Sequence, residues 1–114
     1  MQQVCFALPV IAGKTDSACD FMAQLEGGRR AEFDRSERRI GIVKECWFLQ
    51  HLAQGDVLIG YIESEDFAQS LRLFAESRAE FDVWFKQRMA ELTGVDLNNP
   101  PQGLLSECLS NYSA

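Results

Sequence analysis

Residues 38–64 read RRIGIVKECWFLQHLAQGDVLIGYIES. Two apolar runs, Ile40–Leu49 and Val57–Ile62, flank the polar link Gln54-Gly55-Asp56. Strand-like runs around a short Gly-containing link predict a β-hairpin. The rest of the chain reads as cover for that hairpin.

The chain has 114 residues, of which 46% are hydrophobic, so it reads as one domain, 1–114, with a real core. Its formal net charge is −6. No basic stripe offsets this charge, which excludes ordinary phosphate-backbone binding to nucleic acid. It also argues against an anionic membrane surface. No run approaches a membrane span in length. The opening MQQVCFALPVIAGKTD lacks a positive leader, and Pro9 interrupts its apolar run. A soluble, cytoplasmic protein is expected. Cys5, Cys19, Cys46 and Cys108 form no CxxC pair, so four reduced, buried thiols are expected.

Gln3–Leu8 predicts a first strand ending at Pro9. Thr15 or Asp16 is the expected cap of a helix running from about residue 15 to 37, weakened at Gly27-Gly28. Its stripe is Ala18, Phe21, Met22 and Leu25, regaining phase at Phe33. Strands follow at about 40–50 and 57–63. A helix starts at Ser64-Glu65-Asp66, with Phe67, Leu71 and Phe74 on one side. The next, about 78–93, carries Phe81, Trp84, Phe85, Met89 and Leu92, and Gly94 stops it. Leu104–Leu109 reads as a fourth strand. The order is strand, helix, strand, strand, helix, strand with an extra helix. The expected fold class is α+β: a ferredoxin-like βαββαβ arrangement with an antiparallel sheet and helices on one face.

A sheet covered on one face alternates apolar and polar residues. These strands do not. Ile40, Ile42, Cys46 and Phe48 oppose Val43, Trp47 and Leu49, and Val57, Ile59 and Tyr61 oppose Leu58 and Ile62. Both faces call for burial, and the helices cover one. Leaving such side chains in water costs roughly 1.5–3 kcal/mol each. A homodimer, sheet against sheet, is therefore expected, the alternative being a curled sheet with the 95–114 segment folded over it.

This order with two-sided strands resembles the dimeric α/β-barrel superfamily, which includes small cofactor-independent monooxygenases and ligand-binding proteins. The segments AGKTDSACDFMAQL, RR…F, VKECWFLQ, GDVLIGYIESEDFAQSLRLF, FDVWFKQ and TGVDL…PP are similar to a bacterial family of about this length with no established activity. The likeness spans nearly the whole chain. It implies a fold and no chemistry.

Gly13-Lys14-Thr15 follows a strand and opens a helix, as in a phosphate loop. The full motif needs glycine five residues before Gly13, where Leu8 stands. A turn explains the triplet. Arg29 and Arg88 fall on the apolar stripes of their helices, where they snorkel or reach a carboxylate, internal or from a bound acid. Glu45, Trp47 and His51 share one strand face at even spacing, and His51 is the single histidine. His51 or Glu45 is the candidate base of a pocket lined by Trp47, Tyr61, Trp84 and Arg88. Core packing is the alternative for Tyr61 and Trp84, and a solvated turn for His51. One histidine with scattered carboxylates makes no metal set, and no GxSxG elbow is present. No cofactor is called for. Two function classes follow. One is a dimeric domain that binds a small organic molecule or is structural. The other is a cofactor-independent enzyme of monooxygenase or isomerase type with its pocket between sheet and helices.

Overall fold

In the computed structural model, which describes residues 1–114, the hairpin forms. Strands β2 (Ile42–Leu52) and β3 (Gly55–Ser64) pair antiparallel, from Leu52 opposite Gly55 to Ile42 opposite Ser64. The link is Ala53-Gln54, and Gly55 takes φ 139°, a conformation that suits glycine and strains side-chain-bearing residues. Strand β1 (Gln2–Pro9) pairs antiparallel with the other edge of β3, giving the sheet order β1-β3-β2. Helices α1 (Thr15–Glu26), α2 (Arg30–Ile40), α3 (Phe67–Glu76) and α4 (Glu80–Thr93) complete the regular structure with a 3-10 turn at Gln102–Leu104. The helices supply one layer and the sheet the other. No helix is long and apolar enough to cross a membrane.

Several expectations need correction. The first helix is two, because Gly27-Gly28 breaks it. Gly27 and Arg29 send their amides back to Ala23 and Gln24, and Arg30 starts a new axis. Thr15 does not cap α1. Its hydroxyl instead donates to Asp56 Oδ2 at 2.6 Å, tying the helix start to the hairpin. Asp66 does cap α3, accepting from the Gln69 amide at 3.1 Å.

The second strand starts at Ile42, and Ile40 closes α2. A bulge between Ile42 and Lys44 leaves Val43 as an extra, exposed residue. It resets the alternation, so Ile42 faces the helices with Glu45 and Trp47 rather than joining Cys46 and Phe48.

The fourth strand is not formed. Ser106 sits at the outer edge of β1, but the Cys5 amide donates to its hydroxyl at 3.0 Å rather than to a backbone carbonyl. A side chain thus holds the place of a ladder bond. The cysteines are free, yet Cys5, Cys19 and Cys108 are exposed and Cys46 is half-buried.

One row across the sheet sets up the site. Phe6, Gly60 and Trp47 lie side by side on β1, β3 and β2. A Cβ on Gly60 would stand 2.9 Å from the Phe6 ring and 3.0 Å from Trp47. Its absence lets the two rings meet edge to face, 5.7 Å between centroids.

Candidate functional site

Between the sheet and the helix layer lies a cavity of about 50 Å³. Phe6, Leu8 and Ile62 form part of its floor, Phe33, Phe74, Phe81 and Phe85 part of its roof, and Leu97 and Leu104 close one side. Two acids enter this apolar space, Glu37 from α2 and Glu45 from β2, each half-buried as a residue with its carboxyl turned inward. The bulge aims Glu45 inward. The helix aims Glu37, since Phe33, Glu37 and Ile40 stand at i, i+4 and i+7 on one face.

The two carboxyls are hydrogen-bonded to each other. Glu45 Oε2 also accepts from the Trp47 indole Nε1 at 2.8 Å. Burial pushes the Glu37 pKa up from its ordinary 4.5 to about 10, and the Glu45 charge and hydrogen bond, then Asp82 and Asp34, act the same way. Burial raises Glu45 too, but the hydrogen bonds from Trp47 and Glu37 oppose that rise. Two carboxylates in contact in an apolar site do not both ionise. Glu37 therefore carries the proton and donates it, and Glu45 is the acceptor. An acid and a base stand one hydrogen bond apart.

Behind the pair is a polar clamp. Asp82 of α4 is fully buried. It accepts from Ser36 at 2.5 Å, Arg39 at 2.6 Å and Ser77 at 2.5 Å. Ser36 and Arg39 flank Glu37 on α2, so the clamp sets the rotation of the helix that presents it.

The expected pocket residues are dispersed. Glu45 and Trp47 line the cavity. His51 lies six residues further along β2, roughly 20 Å away, at the hairpin tip, where its exposed ring meets Asp56 at 2.7 Å. Tyr61 is on the opposite sheet face, between Cys5 and Cys46, and donates to Glu63 at 2.7 Å. Trp84 packs on Phe21, and the Arg29 guanidinium lies 4.1 Å from its ring. Arg29 also pairs with Glu32 and Glu80 at 3.5 and 3.9 Å. Arg88 bonds Glu91 at 2.9 Å. The grouping of Trp47, Tyr61, Trp84 and Arg88 around one volume is therefore corrected. Face alternation and helix packing carry three of the four elsewhere. Glu37 is the residue that the sequence reading missed. Its place on the Phe33–Ile40 stripe was the available signal.

No family model matches the chain, and no characterised protein matches it in sequence. Among solved structures, an L-rhamnose mutarotase from Formosa agariphila superposes with a TM-score of 0.66 at 15% identity, covering 98% of this chain and 100% of that one. The fold is shared. The chain is α+β and ferredoxin-like, with an antiparallel sheet and its helices on one face. At this identity the likeness speaks for the fold alone.

Proposed function

We propose that this protein is a cofactor-independent isomerase-type enzyme that moves a proton between two positions of a small organic molecule held between sheet and helices. Glu45 is the base and Glu37 the acid. The observation that carries the reading is the hydrogen-bonded Glu37–Glu45 pair inside an otherwise apolar cavity. Two groups that exchange one proton can take a proton at one substrate atom and return one at another, with no net change. That the similar fold belongs to an L-rhamnose mutarotase, itself an isomerase, supports the same class.

The second face of the sheet belongs to this proposal as a homodimer contact. Phe48 is 57% exposed there, beside Val57, Ile59, Tyr61 and Cys46, and no helix covers it.

The test is a panel of small carbonyl and hemiacetal compounds, each followed by NMR in D₂O for proton exchange or anomer interchange. Wild type accelerates at least one. Glu45→Gln and Glu37→Gln each lower that rate about 10²–10⁴-fold, the usual worth of a general acid or base, while His51→Asn leaves it unchanged. A panel with no accelerated member, or a rate that survives both glutamine variants, overturns the reading. A compound that binds without turnover supports a second reading, a binding domain.

A further inference from the structure

A census of hydrogen-bonding groups in the cavity constrains what it can hold. Besides the two acids, its wall contributes two hydroxyls and one indole N–H. The Ser36 hydroxyl is committed to Asp82 at 2.5 Å. The Ser70 hydroxyl is paired with Ser64 at 2.8 Å. The Trp47 N–H is spent on Glu45 at 2.8 Å. Fourteen of the 18 lining residues are hydrophobic. With those donors engaged, the carboxyl pair is the main polar feature left to meet a ligand.

A sugar enclosed here would leave most of its hydroxyls without partners. Each buried, unpaired polar group costs about 1–3 kcal/mol, so several stranded hydroxyls would outweigh what the acid pair returns. Size points the same way. A space of about 50 Å³ corresponds to roughly four water-sized positions, which suits a compact skeleton rather than a hydrated ring.

Resting on the isomerase reading above, we infer that the substrate class is a small apolar ketone or aldehyde with one oxygen function and an acidic α-hydrogen, and not a polyol. The reaction is enolisation. The Glu45 carboxylate takes the α-proton, the C–H pair becomes the C=C bond, and the carbonyl oxygen receives the Glu37 proton. The resulting enol returns its hydroxyl proton to Glu37 as Glu45 delivers a proton to carbon. Atoms and charge balance without an added reagent. The aromatic wall contributes apolar contact along the skeleton, and Trp47 holds Glu45 toward the carbon.

Acetone and L-rhamnose distinguish the two levels of the proposal. α-Hydrogen exchange of acetone in D₂O is measured by NMR with the full chain, and rhamnose anomer interchange is measured in the same buffer. The expected result is at least tenfold acceleration for the ketone, lost in Glu45→Gln, and no acceleration for rhamnose. Leu71→Trp, which fills the cavity and leaves both acids in place, also abolishes it. Rhamnose interchange that depends on Glu45, with the ketone untouched, overturns the substrate class and leaves proton transfer standing. Ketone exchange that survives both Glu45→Gln and Leu71→Trp overturns the class as well. If neither compound responds and neither shows saturation transfer from the protein, this inference falls. Failure of the wider panel would overturn the isomerase reading separately.

Discussion

Glu37 and Glu45 share a proton because the fold places two acids where only one charge is tolerable. The consequence for stability is directional. Unfolded, Glu37 titrates near 4.5; folded, it titrates at about 10. Between those values the folded state holds a proton that the unfolded state has released. Stability therefore falls as pH rises through that window, with a limiting slope of about 1.4 kcal/mol per pH unit. Glu37→Gln removes the titration. Urea midpoints should place this variant above wild type at pH 8–9 and level with it near pH 4. A wild-type midpoint that rises between pH 6 and 9 while the variant's stays flat would refute the assignment. Glu45 was legible as an inward-facing acid from its spacing with Trp47. Glu37 was not read, because a helical stripe is scanned for apolar residues and a carboxylate on it is taken for the solvent side.

At the scale of the elements, the end of α3 shows how a polar residue can belong to the core. Lys86 is 3% exposed and sends its ammonium to three carbonyls, those of Phe74, Ala75 and Ser77, at 2.9–3.0 Å. Carbonyls of a last helical turn lack helical partners; of these three, that of Phe74 also accepts from the Ser77 amide at 3.2 Å. A positive charge there also interacts favourably with the negative end of the helix dipole. The ammonium also lies 5.6 Å from the centre of the Phe74 ring. Lys86→Met keeps the stem and strands the carbonyls. It should cost about 2–3 kcal/mol, read as a lowered chemical-denaturation midpoint with unchanged far-UV CD. A loss under 0.5 kcal/mol would mean that water satisfies the carbonyls and the cap is not structural. The break between α1 and α2 belongs to the same scale. Glycine weakens a helix wherever it stands, but only the bond pattern at Gly27 and Arg29 shows that the axis is lost and not merely bent.

For the whole molecule, the decisive feature is an apolar sheet face with no layer over it. Burial of side chains such as Phe48 and Ile59 is worth roughly 1.5–3 kcal/mol each, and a second copy supplies identical partners. Light scattering should return twice the 12.9 kDa of one chain. Phe48→Glu with Ile59→Glu should return a folded monomer, since neither side chain contributes to the buried core. A wild-type mass of one chain at high concentration would remove the dimer from the proposal. The surface would then need another occupant.

The fold class was available from the chain alone, because hairpin pairing, helix stripes and two-sided strands are periodic and local. The bulge at Val43, the side-chain bond that replaces a fourth strand at Ser106, and the split helix are decided by competition between distant groups, which no local period encodes. The site divides in the same way. Alternation along one strand placed Glu45 beside Trp47. Only the packing of α2 across the sheet brings Glu37 against them, 8 residues earlier in sequence and on a different element. What separates an isolated half-buried acid from a proton-sharing pair is that contact, and it exists only once the helix layer closes over the sheet.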